Sequence, residues 1–174
     1  MTMVQRWRFA RVLLMRLLVV ALPEIAQAGT FPYWGLSFGT PERAAAHIGL
    51  SFGDQVPSDA EEFAMGTGPV VEATMGMGAG KIGIGRSLVI LTEHRSARII
   101  ADWKVVATRS WGKPRGASAH ATYLGIEGGA SLSVLRFTLG VSKRIEQKSK
   151  GANVLVTWGT GIQIRLGGKK RPQP

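Results

Sequence analysis

The residues best able to move a proton near neutral pH are three histidines, His47, His94 and His120, and they lie far apart in the chain. His120, with Ser118 and the nearby loop residue Ser110, could supply the partners a hydrolase would need to activate a serine. Closeness in sequence defines no geometry. An ordinary loop-edge histidine is the simpler reading, and no catalytic residue is assigned. The absence of cysteine removes thiol nucleophiles and disulfides, and leaves any zinc site to the histidines and carboxylates. No metal or other cofactor is expected. Gly76-x-Gly78-x-Gly80 and Gly83-x-Gly85 have the spacing of phosphate loops, but no helix follows them.

Charge offers a second kind of chemistry. Arg109, Lys113 and Arg115 form one basic loop, and Lys143, Arg144, Lys148 and Lys150 form another. Such loops suit contact with acidic lipid headgroups or polysaccharide, with Trp111 available for stacking, or they are simply solvated. A separate set, Glu72, Arg98, Asp102, Lys104, Glu127 and Arg136, carries both signs and sits inside alternating segments, opposite their apolar residues. These six can pair with one another across an enclosed space. With 22 Lys+Arg against 11 Asp+Glu and a pI near 10.9, the 174-residue chain is basic enough to suggest nucleic acid. It has no helix-turn-helix, zinc-finger or RNA-binding motif, so that partner is discounted.

The elements that would position these residues alternate with a period of two. Leu135, Phe137, Leu139 and Val141 oppose Arg136, Thr138, Gly140 and Ser142, while Val154, Val156, Trp158, Ile162 and Ile164 oppose Asn153, Thr157, Gly159, Gly161 and Gln163. Upstream, Trp34, Leu36 and Phe38 alternate with Gly35, Ser37 and Gly39. Ala46, Ile48, Leu50 and Phe52 alternate with Ala45, His47, Gly49 and Ser51. The same rhythm runs through 69–78, 82–90 and 97–108, and more weakly through 119–127. Eight strands and no long helix predict an all-β chain. Turns are expected at Thr40–Arg43, Ala79–Lys81 and Gly128–Ala130, with a loop from Asp54 to Gly68 containing a short capped helix from Ser58. Arg86 falls on the apolar side of its segment, and a bulge at Gly83 or Gly85 would turn it inward.

The first 28 residues have the plan of a secretory signal. Arg6, Arg8 and Arg11 precede the apolar run from Val12 to Leu22, and Ala26-Gln-Ala28 fits the cleavage rule. Residues 29–166 then form one β domain, followed by a disordered basic tail at 167–174. No later segment reaches the roughly 18 apolar residues of a membrane helix, so a membrane span would have to be built from strands.

The face opposite the apolar residues is dominated by Gly, Ser, Ala and Thr, which suits a crowded interior better than a solvated surface. On these features the chain resembles the small eight-stranded outer-membrane β-barrels of bacteria: a signal peptide, no cysteine, and about eight glycine-rich alternating segments. The resemblance implies an antiparallel up-and-down barrel in the outer membrane of the cell envelope. It also implies a structural or surface-interaction role, no enzymatic activity, and lumenal charges that plug the barrel rather than line a pore. Two alternatives stand beside it. One is a soluble barrel, periplasmic or secreted, holding an apolar ligand against its Ile, Leu, Met and Phe face; the other is a lipid-modifying barrel enzyme using His94 or His120. The oligomeric state is open.

Overall fold

The computed structural model describes residues 29–53, 64–91, 98–146 and 153–166. It is all-β, with eight strands in chain order: β1 (Gly29–Thr40), β2 (Arg43–Gly53), β3 (Ala64–Gly76), β4 (Ala79–Leu91), β5 (Arg98–Ser110), β6 (Thr122–Leu132), β7 (Leu135–Arg144) and β8 (Val154–Arg165). Each strand pairs antiparallel with the next, and β8 pairs with β1, closing an up-and-down barrel with no free edge. Among the described residues no helix is long and apolar enough to cross a membrane, which says nothing of strands. The signal sequence, the capped turn from Ser58, His94, Lys148, Lys150 and the basic tail lie outside the described residues.

The register is continuous through every described strand pair. Paired residues lead from Thr40 through Trp158, Leu139, Gly128, Trp103 and Arg86 to Pro69, and extending the Ser51–Val70 register by one residue leads on to Phe52, which pairs with Thr30. The path thus returns to β1 ten residues from its start. With eight strands, that stagger tilts each strand by roughly 40° and sets the barrel radius at about 8 Å. The interior therefore holds side chains and little else.

Period two then separates the faces. Lumenal positions are mostly polar or small: His47, Ser51, Glu72, Thr74, Lys81, Ser87, Asp102, Lys104, Thr108, Glu127, Ser131, Arg136, Ser142, Thr157 and Gln163 are all buried. Outward positions are large and apolar, including Phe38, Ile48, Met75, Ile82, Trp103, Leu139 and Val156, and all are exposed. The usual globular arrangement is reversed. The Ile, Leu, Met and Phe side chains that would line an apolar ligand cavity instead point out of the barrel, so the soluble ligand-binding alternative loses its proposed site.

Four expectations are corrected by the pairing. Ala79–Lys81 is not a turn; it opens β4, and the chain reverses at Met77–Gly78. Gly128–Ala130 is not a turn; it lies within β6, and the chain reverses at Ser133–Val134, where Ser133 adopts φ 56°. Glycine is needed at 129 for room, because a Cβ there would lie 2.8 Å from an Asp102 carboxylate oxygen and 3.1 Å from Arg136 Nη2. Ala64–Gly68 is strand rather than loop, since it pairs with Ser87–Leu91 of β4. No bulge interrupts Gly83 or Gly85, and Arg86 stays on the outer wall, exposed, between Pro69 and Trp103.

Candidate functional site

Two places gather chemistry-bearing side chains: the lumen, and the rim at the end opposite the termini. In the lumen, β3 and β7 lie four strands apart and thus face each other across the barrel. Arg136 on β7 spans that diameter, donating from Nη2 to Glu72 Oε2 on β3 at 3.0 Å. The same guanidinium forks onto Asp102, Nη1 to Oδ2 at 2.9 Å and Nη2 to Oδ1 at 3.3 Å, and donates from Nη1 to Gln163 Oε1 at 2.7 Å. Bidentate pairing of this kind uses the planar geometry only arginine has.

Lys104 continues the network. Its Nζ donates to Glu72 Oε1 at 2.8 Å and lies 3.4 Å from both Asp102 and Glu127. Lys81 joins Glu127 at 2.5 Å and Glu42 at 3.2 Å, and Tyr33 donates its hydroxyl to Glu72 Oε2 at 2.8 Å. Alternating signs thus run from Glu42 at the β1–β2 turn to Arg136 in mid-barrel. Isolated charges so deeply buried would be untenable, and mutual pairing is what keeps them there.

Apolar side chains flank the network on both sides. Val70 and Ile100 precede Glu72 and Asp102 by two residues on the same lumenal rows, so they lie on the side of the termini, and both are buried. At the other end Ala121, Tyr123 and Leu155 form a buried apolar cluster with Ala117 packed against it. Beside the network remains a cavity of about 20 Å³ lined by Glu42, His47, Thr74, Lys81 and Thr138, room for a single water. His47 packs edge-on to Tyr33, with ring centroids 6.4 Å apart, and its buried Nε2 has no hydrogen-bond partner among the described residues.

Of the charged set expected to pair, Glu72, Asp102, Lys104, Glu127 and Arg136 meet in this network. Arg98 is the first residue of β5, and its side chain lies outside the described residues. Sequence reasoning missed Tyr33, Glu42, His47, Lys81 and Gln163. Strand parity could have found four of them, because each shares the small face of its segment. Glu42 sits in a turn, where parity is silent.

The rim is shaped by the β5–β6 loop, residues 111–121, which folds back over the short turns. The Trp111 N–H donates to Gly78 O at 2.9 Å and the Arg115 N–H to Pro41 O at 3.3 Å, with Gly112 and Gly116 in the left-handed region (φ 56° and 73°). Lys113 and Arg115 are exposed on this loop, as is Arg43 at the start of β2. Arg109 and Lys143 are exposed strand-end residues rather than loop residues. Arg144 differs from both, since it closes β7 facing inward and is buried. Arg109 pairs with Glu146 at 2.5 Å, and the Thr122 hydroxyl donates to the same carboxylate oxygen at 2.7 Å. The Thr122 hydroxyl, followed by Arg109, holds the Glu146 carboxyl below its ordinary range, whereas burial pushes Glu42 above it despite Lys81.

The Ser110 hydroxyl is engaged by the backbone of its own loop. Ser110 Oγ is turned to the carbonyls of Ser118 at 2.5 Å and Ala121 at 3.0 Å, and accepts the Ala121 N–H at 3.0 Å, while His120 is exposed. That hydroxyl is committed to holding the loop. Among the described residues no group of three His, Asp or Glu is arranged to hold a metal ion. No protein-family model, curated protein or solved structure matches this chain.

Proposed function

We propose that this protein is a small β-barrel of the bacterial outer membrane, with a plugged lumen and a structural or surface-interaction role rather than a catalytic one. The observation that carries the reading is the reversal of faces: Lys81 is 9% exposed while its neighbour Ile82 is 65% exposed, and the same inversion runs around the whole wall. A water-soluble monomer rarely exposes a contiguous apolar patch above a few hundred Å². Hydrocarbon around the wall removes that difficulty.

Strand length supports the same reading. An 11-residue strand tilted by roughly 40° rises about 28 Å, close to the hydrocarbon thickness a barrel must cross. The signal-like first 28 residues fit a route to the envelope, and closure of β8 on β1 removes the free sheet edges that lipid could not satisfy. The test is solubility and location. The chain is expected in the outer-membrane fraction, folded only with detergent or lipid, and migrating differently on gels before and after boiling. A monomer that stays folded in detergent-free buffer would refute the proposal.

A further inference from the structure

The outer wall is not the same at its two ends. The outward row of β5 reads Ile99, Ala101, Trp103, Val105 and Ala107 and finishes on Arg109, and that of β7 reads Leu135, Phe137, Leu139 and Val141 and finishes on Lys143. At the end bearing the termini Ile99, Leu132, Val134, Leu135 and Ile164 are exposed apolar residues. Among the described residues the cationic border lies at the far end.

The register fixes how these cations are spaced. Arg109 pairs with Thr122 on β6, and Lys143 pairs with Leu124 two residues further along the same strand. Their Cα atoms are therefore two strands and two residues apart, roughly 12 Å. Hydrogen bonds to Gly78 and Pro41 hold the 111–121 loop against the turns, so Lys113, Arg115 and Arg43 extend the border over β1 to β4. Among the described residues Arg43, Lys113, Arg115 and Lys143 have no carboxylate partner. Arg109 does, but that pair is half-exposed, with Arg109 and Glu146 side chains at 51% and 41%, and another anion can replace Glu146.

We infer that this border binds the phosphates of anionic lipid headgroups, with the acyl chains of the same molecules lying on the apolar rows of β5 and β7. A cation set directly above a hydrocarbon-covered row is met by one ligand only if that ligand joins an anion to a chain. A free phosphate or an acidic polysaccharide satisfies half of the site. Glu146 occupies Arg109 until a headgroup displaces it. The inference rests on the membrane-barrel reading.

The full chain held in micelles is titrated with short-chain phosphatidic acid, short-chain phosphatidylcholine and inorganic phosphate, following tryptophan fluorescence. Phosphatidic acid is expected to bind more tightly than phosphatidylcholine, by a margin that shrinks with salt, and Lys143→Gln or Arg115→Gln should each weaken it about fivefold. Glu146→Gln should strengthen it by freeing Arg109. Equal affinity for the two lipids, full displacement by equimolar inorganic phosphate, or indifference to both glutamine variants would each overturn the inference. Gel migration before and after boiling, run on every variant, separates the failures. A barrel folded in micelles with no headgroup preference sinks the border alone, whereas one that folds without detergent sinks the membrane reading and the border together.

Discussion

Asp102, Trp103 and Lys104 are consecutive, yet they obey opposite rules: the tryptophan is 57% exposed while the flanking charges are 8% and 1% exposed. The lumen and the outer wall share one backbone and differ in what holds their side chains. In the lumen each charge depends on particular partners at particular distances, as Arg136 does on Glu72, Asp102 and Gln163. On the wall, under the proposed membrane reading, an apolar surface of about the right size suffices, because fluid lipid can adapt to it. Specificity therefore belongs to the inside and tolerance to the outside.

The sharpest way to break this contrast is Arg136→Met. It leaves Glu72 and Asp102 buried without their shared cation and should cost roughly 3–5 kcal/mol, read as a lower urea midpoint for the micelle-held barrel. A loss near zero would mean the lumen is wet and its pairing unimportant. On the wall, Leu139→Arg should cost roughly 2–4 kcal/mol in bilayers while leaving the lumenal network unchanged. If the same variant is neutral when the barrel is refolded into vesicles, the wall does not face hydrocarbon.

Adjacent glycines give a finer comparison. Gly129→Ala pushes a methyl into the Asp102–Arg136 pair and should destabilise by about 1–3 kcal/mol. Gly128→Ala points outward, with no atom nearer than 3.9 Å to the new Cβ, and should change stability by less than about 0.5 kcal/mol. Equal effects at the two sites would contradict the assigned faces.

The smallest effect concerns pH. Glu42 lies in the β1–β2 turn, and burial raises its pKa above the ordinary carboxylate value. A raised folded-state pKa means stability is fullest below the ordinary value near 4.5 and falls as pH rises through the raised one. Glu42→Gln should flatten this decline, measured as the midpoint of heat-induced unfolding across that range. A steeper decline in the variant would show that pairing with Lys81, rather than burial, governs the group.

Much of the architecture was legible because it is local. A strand's two faces follow from alternation, so the apolar rows of β5, β7 and β8, and the inward placement of Asp102, Lys104 and Arg136, needed only residues two apart to be compared. The turn misplaced onto Gly128–Ala130 shows where local reasoning fails. Glycine serves both chain reversal and close packing, and only the Asp102 and Arg136 side chains opposite Gly129 reveal which is meant.

What the amino-acid sequence determined by itself is thus the number of strands and the chemistry of their faces, since both are written at a spacing of two residues. The tertiary structure decided the rest. Closure of β8 onto β1, the ten-residue stagger, the reach of Arg136 across the lumen to Glu72 and the inward turn of Glu42 and Arg144 all join residues far apart in the chain. Which carboxylate meets which cation depends on the register of strands already paired, and no local preference encodes that register.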